Sequence, residues 1–176
     1  MRHFDASSAE CFVFTYKEGW LAAVAHDLKI RVTKFHVDVD EDTHAIRARF
    51  DAASLRTVCA TRDGIDAPAT LRASDKREID HNISRDVLDA GACPEITFTS
   101  SSVQENDGRY LVKGTLALHG RKRQVTVHVS KAPTGFVGEA RIHQPDFGIR
   151  PYSALLGTLK VKADVTVRIS VPADAT

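Results

Sequence analysis

Leu159-Lys160-Val161-Lys162-Ala163-Asp164-Val165-Thr166-Val167-Arg168-Ile169-Ser170-Val171 puts an apolar side chain at every odd position and a polar one at every even position. Period-two alternation is the pattern of a strand with one face on a core and the other on water. The spacing predicts one long strand over residues 159–171, of the kind that can close a curled sheet. The segments before it read the same way. Val125, Val127 and Val129 alternate with polar residues, Pro133-Thr134-Gly135 turns the chain, and a strand follows from Phe136 to His143. Ile96 and Phe98 alternate with Thr97 and Thr99; Asn106-Asp107-Gly108 then leads into Val112, Gly114, Leu116 and Leu118 as a hairpin. A second turn is expected at Gly120. Connections this short join antiparallel neighbours.

Nearer the N-terminus, Phe12, Phe14 and Tyr16 alternate with Val13 and Thr15. Leu28, Ile30 and Val32 share one parity, and Phe35, Val37 and Val39 share the other. One extra residue at Thr33-Lys34 accounts for the slip, as a β-bulge that bends a long strand. Ile46, Ala48 and Phe50 supply the next strand, and residues 54–72, with Gly64 and Pro68, read as an irregular crossing. One helix is expected at about 74–90. Ile79, Ile83 and Val87 recur every four residues, Asp75 with Glu78 suits a capping box, Gly91 suits a C-terminal cap, and Pro94 prevents continuation.

Eight strands without helices between the later ones exclude a parallel βαβ sheet. The fold expected is all-β: an eight-stranded antiparallel lipocalin-like barrel with one α-helix and short helical turns, the helix lying across the barrel or over an end. Such a barrel has room for packed side chains or for one small or elongated ligand. At 176 residues, one domain spanning 1–176 is the expectation.

Composition narrows the function. Apolar residues make up 43% and charged residues 27%, as in a folded globular chain, and 24 Lys plus Arg balance 23 Asp plus Glu, so no overall field draws in nucleic acid. The basic run Gly120-Arg121-Lys122-Arg123 sits between two strand patterns and reads as a solvated hairpin tip. Cys11, Cys59 and Cys93 cannot all pair within the chain and lack zinc-site spacing. The N-terminus lacks the apolar stretch of a signal peptide, and Trp20 to Ala25 is too short to span a bilayer, so a cytoplasmic protein without an integral membrane segment is expected.

Chemistry-bearing patterns are sparse. His26-Asp27 pairs an imidazole with a carboxylate, but neighbours on a strand point to opposite faces, which favours a hydrogen bond to structure or to a ligand head group over catalysis. The eight histidines form no His-x-His or His-x-x-x-His pair, and His36, His44 and His128 fall opposite the apolar parity. There is no Gly-x-Ser-x-Gly elbow, no Gly-x-Gly-x-x-Gly and no phosphate loop. No catalytic residue, metal or cofactor is therefore expected. Pro151 to Gly157 reads as a plug of the barrel end or as a lid over a ligand.

Two ordered motifs carry a family likeness. Pro94-Glu95-Ile96-Thr97-Phe98-Thr99-Ser100 resembles the Pro-x-Ile-x-Phe-x-Ser signature of YceI-like proteins, and Gly114-Thr115-Leu116-Ala117-Leu118-His119-Gly120 resembles their Gly-x-Leu-x-x-His-Gly hairpin. Asp146-Phe147-Gly148-Ile149 and His26-Asp27-Leu28 fall where further family segments do. The resemblance implies an extended lipocalin-like barrel holding a polyisoprenoid, quinone or fatty-acyl chain, with lipid transport, storage or stress response as the role. Many relatives are periplasmic and carry a signal peptide, and the aromatic stretch that usually precedes the first motif is here Val87-Leu88.

The sequence thus points to binding, sequestration or transport of an elongated hydrophobic ligand rather than to an enzyme. Phe12, Phe14, Leu28, Ile30 and Phe35 are expected in the tunnel wall, together with Phe98, Leu116 and Leu118. Phe147, Tyr152 and Leu155 complete the expected wall, with His26 and Tyr152 as head-group contacts. The rival readings are a small enzyme using His26 with a carboxylate, and a ligand-free module acting by association. Whether the chain forms a homodimer stays open.

Overall fold

The computed structural model describes residues 1–18, 26–154 and 159–173. In chain order the first strands are β1 (Arg2–Asp5), β2 (Glu10–Thr15), β3 (Lys17–Glu18), β4 (Asp27–Val32), β5 (Phe35–Val39), β6 (Ile46–Asp51), β7 (Leu55–Arg62) and β8 (Ile65–Ala67). Helix α1 (Ala73–Asn82) separates these from β9 (Glu95–Asn106), β10 (Arg109–Leu118), β11 (Arg121–Ala132) and β12 (Gly135–His143). The last strands are β13 (Ser153–Ala154), β14 (Leu159–Val161) and β15 (Asp164–Pro172). Twelve strands form one antiparallel sheet in the order β1-β5-β6-β9-β10-β11-β12-β15-β2-β4-β7-β8, and β13-β14-β3 make a small second sheet.

The architecture is the expected mostly-β, antiparallel, lipocalin-like one with one α-helix. The segments differ from the eight strands expected: fifteen are present among the described residues. Much of the difference comes from bends. β4 runs into β5 through Thr33-Lys34, and β6 runs into β7 through a short 3-10 turn at Ala52–Ser54. Across this corner the Thr33 N–H donates to the Ser54 carbonyl (3.1 Å) and the Asp51 N–H to the Lys34 carbonyl (3.1 Å). Each bent strand therefore pairs with two neighbours. β4 lies on β2 and β5 on β1, while β6 lies on β9. The sheet so curls around an apolar interior. The slip at Thr33-Lys34 was legible because a bend that keeps Ile30, Val32, Phe35 and Val37 all buried must change parity.

The alternating run at 159–171 is likewise not one strand. It breaks at Lys162-Ala163, where the Lys162 N–H donates to the Tyr16 carbonyl (2.8 Å) and the Ala163 carbonyl accepts from the Gln144 N–H (2.9 Å). Residues 54–72 are more regular than expected. They hold the β7–β8 hairpin, turning at Asp63 and Gly64, both with left-handed φ (52° and 79°). Asp-Gly was the signal for this turn. The hairpin expected at Asn106–Gly108 and the turn at Gly120 are found as two-residue turns at Asp107-Gly108 and His119-Gly120, all with positive φ.

The helix starts at Ala73, with the Asp75 carboxylate accepting from the backbone N–H of Arg72 (2.8 Å); Asp75 is thus the third helical residue rather than the cap. A single π-helical turn, Ile83–Val87, ends it. The left-handed residue that stops it is Asp89 (φ 46°), not Gly91, and the Ala90 N–H returns to the Ser84 carbonyl (2.8 Å). The helix docks by its polar side too: Asp80 accepts from both the backbone N–H and the hydroxyl of the buried Thr57 (2.7 Å each).

The two signature motifs meet inside the sheet. Gly114 on β10 lies against Phe98 on β9, and a Cβ at residue 114 would stand 2.5 Å from Phe98 Cζ. The glycine exists to admit the ring. At one end, the 3-10 turn Gln144–Phe147 folds beneath the His119-Gly120 turn, with His119 Nδ1 donating to the Phe147 carbonyl (3.2 Å). Gly148 (φ 71°) gives the Arg121 guanidinium its place there.

Candidate functional site

The inward side chains leave a cavity of about 250 Å³ inside the curled sheet. Val125, Val127 and Val129 form the β11 wall, and Phe136, Ala140 and Ile142 the β12 wall. Val165, Val167, Ile169 and Val171 continue it on β15, followed by Cys11 and Val13 on β2. Ile46, Ala48 and Phe50 of β6 face Ile96, Phe98, Leu116 and Leu118 of β9 and β10. From Phe136 to Ile142 the strand rise alone gives about 20 Å of wall, so the space is a narrow tube. By scaling from the roughly 150 Å³ cavity that holds benzene, it takes about ten carbons.

This wall is almost free of polar atoms. Gln144 enters it as a buried amide, whose Nε2 donates to the Lys162 carbonyl (3.1 Å), and Cys11 contributes a buried thiol whose pKa burial pushes up to about 12. A surface of this kind favours an apolar occupant and offers nothing to stabilise a developing charge.

Of the residues expected in the wall, Phe98, Leu116 and Leu118 stand in it. Ile30, Phe35 and Phe147 are buried but pack in the protein's core off the cavity surface, and Leu28 is half-buried against the same core. Phe12 and Phe14 are on the other face of β2. Phe12 lies under the Lys29 ammonium (4.8 Å to the ring centre) and Phe14 under the Arg168 guanidinium (5.0 Å), half-exposed outside the barrel. The inward residues of β2 are Cys11 and Val13: alternation showed that one face was inside but not which, and aromatic size misdirected the choice. Tyr152 is exposed, its hydroxyl accepting from Asn82 Nδ2 (3.4 Å). Leu155 lies outside the described residues, as do Leu156 and Gly157 of the plug-or-lid segment. Ser153-Ala154 instead pair with β14 in the small sheet.

His26 is half-buried just ahead of β4, and the neighbouring Asp27 carboxylate accepts from the Lys17 backbone N–H (2.7 Å), which occupies it with structure. His36, His44 and His128 are exposed. Among the described residues no three His, Cys, Asp or Glu side chains gather as metal ligands.

Much of the wall was missed by reading bulk rather than register. The valines of β11 and β15 belong to strands whose parity was plain, yet several remain only half-buried because the cavity itself is accessible surface.

A curled antiparallel sheet around an apolar tube defines a lipocalin-like barrel. The chain belongs to the YceI family: the YceI-like domain model matches residues 4–173. Its fold is similar to that of Burkholderia cenocepacia BcnA (TM-score 0.69, 22% identity, 97% of this chain and 99% of that one). It is also similar to a polyisoprenoid binding domain from Saccharophagus degradans implicated in plant cell wall breakdown (TM-score 0.54, 13% identity, 94% and 99% covered). The Campylobacter jejuni YCEI protein aligns with a TM-score of 0.54 at 17% identity over 80% of this chain and 79% of that one. A search of curated proteins finds no match.

Proposed function

We propose that this protein binds one elongated apolar molecule, a single prenyl or acyl chain, within the barrel, and sequesters or carries it without chemical change. The observation that carries this reading is the apolar tube of about 250 Å³ whose wall is drawn from strands all round the sheet. Longer side chains in place of the valines and alanines of this wall could have filled the space; an unfilled apolar tube costs contacts unless something occupies it. Burying a chain there contributes roughly 25 cal/mol per Å² of apolar surface before ordering costs. The relative whose structure is described as polyisoprenoid-binding shares this fold, which supports an isoprenoid as the first ligand class to test. Against an enzyme stand the wall's chemistry and the structural use of Asp27.

The test is native mass spectrometry of protein purified without detergent, followed by organic extraction. One defined lipid adduct, lost in Leu116→Trp, is the expected result. A bare mass that stays unshifted with added prenyl alcohols, quinones and fatty acids refutes the reading.

A further inference from the structure

The two outer halves of the barrel treat their cations differently. On β12, β15, β2 and β4 outward cations are neutralised one by one: Arg168 by Glu139 (3.0 Å), Lys29 by Asp66 (2.9 Å), Arg31 by Glu10 (3.9 Å) and Arg141 by Asp164. On β6, β9, β10 and β11 they are left free. Ala48, Phe98, Leu116 and Val125 face the tube, so the alternate residues of these strands face out. Ladder register aligns them in rungs across all four strands: Arg47, Thr99, Thr115 and Gln124 on one, and Arg49, Thr97, Ala117 and Lys122 on the next. On the other side of the first rung, Lys113 stands across from Thr126. Arg47, Arg49, Lys113 and Lys122 are exposed and make no ion pair among the described residues. The carboxylates at outward positions of these strands, Asp51 and Glu95, share one end rung, where Lys34 is 3.8 Å from Asp51. Asp38, across the ladder from Arg47, is held by His3. The basic run of the β10–β11 hairpin gives Lys122 to this face, while Arg123 donates to the Lys122 carbonyl (2.9 Å) and Arg121 lies against Gly148.

We propose that this cationic face docks the barrel, side on, against a bilayer that carries anionic lipid head groups. Spacing decides against a small anion. Arg49 and Lys122 stand three strand spacings apart, about 14 Å, so no single phosphate or carboxylate touches both. A layer of anionic head groups offers each cation its own partner, and the attractions add. The floor between the cations decides against a single-stranded nucleic acid. It consists of Thr97, Thr99, Thr115 and Ala117, hydroxyl and methyl groups rather than the rings on which bases stack. A duplex is gripped by a helix or narrow ribbon set into its groove, and a face four strands wide does not fit there. The threonine hydroxyls, by contrast, can donate to phosphate oxygens lying between the cations. Docking requires no occupant in the tube, so it stands or falls separately from the ligand reading.

The experiment is flotation of the full chain with vesicles of phosphatidylcholine, alone or mixed with phosphatidylglycerol at about one lipid in three. The wild type should float with the mixed vesicles and not with phosphatidylcholine alone, and about 1 M salt, where the Debye length is about 3 Å, should release it. Two double variants then locate the surface at equal net charge. Arg49→Gln with Lys122→Gln should weaken binding by about 25-fold, at about fivefold for each cation removed. Arg31→Gln with Arg141→Gln, taken from the half whose cations are already paired, should weaken it by less than about threefold. All four positions lie on the outer face, and the wild-type comparison of lipids and salt needs no variant. A wild type that stays off the mixed vesicles at low salt, or binding that survives high salt, overturns the proposal. Equal losses in the two double variants overturn this face as the docking surface. Tighter binding to an oligonucleotide than to the mixed vesicles, lost in Arg49→Gln with Lys122→Gln, overturns the bilayer as its partner.

Discussion

Gly114→Ala sets two effects of opposite sign against each other. Adding a methyl group to a glycine whose backbone an L-residue can adopt stabilises by about 0.4–1 kcal/mol, because the unfolded chain loses freedom. Gly114 has no positive φ, so this gain applies. Against it, the new Cβ falls 2.5 Å from Phe98 Cζ and 2.5 Å from the Thr99 carbonyl oxygen, both well inside contact distance. Overpacking of a rigid interior costs about 1–3 kcal/mol, and one of the two obstacles is backbone that cannot rotate away. The steric effect wins by about 1.5 kcal/mol. For a chain of this length that lowers Tm by roughly 3–6 °C. Urea unfolding should show a lower midpoint with an unchanged slope. In the double variant with Phe98→Leu, the two losses should sum to less than additivity by about 0.5 kcal/mol or more, since the smaller side chain vacates part of the clash. The ring pushed into the tube should also weaken geraniol binding, because Phe98 is part of its wall. A Gly114→Ala protein as stable as the wild type, or more stable, refutes the account of why the two signature motifs occur together.

The helix offers a separate test. Asp80→Ala removes the single carboxylate oxygen, Oδ1, that accepts from both the backbone N–H and the hydroxyl of the buried Thr57; it should cost about 1.5–3 kcal/mol and speed hydrogen exchange in residues 73–87 more than in β10. Uniform exchange across both elements counts against helix docking through this carboxylate. Thiol titration gives the third. Cys11 is 1% and Cys59 2% exposed, while Cys93 is half-buried. At pH 8 one thiol should react quickly with a disulfide reagent and the other two only on unfolding, Cys11 slowest because burial holds its pKa near 12. Fast reaction of all three in the folded protein contradicts the packed interior around β2 and β7.

Alternation along the chain determined the fold class, the antiparallel hairpins and the parity slip at Thr33-Lys34, because a strand half in water must repeat every two residues whatever lies against it. Isoleucine spacing determined the helix, since the same requirement acts there at four-residue steps. Ordered motifs determined the family. Local pattern could not decide which face of a strand is the inner one. Phe12 and Phe14 are as apolar as Cys11 and Val13, and cations from neighbouring strands, Lys29 and Arg168, keep the two rings outside. Nor could it decide where the run 159–171 breaks, because the hydrogen bonds that split it at Lys162-Ala163 come from Tyr16 and Gln144, distant in sequence. The tube is wholly a tertiary fact. It exists because the side chains that line it, many of them valines and alanines, are too short to fill the barrel's width, a distance set by the curl of the sheet and by bends at Thr33-Lys34 and Ala52–Ser54.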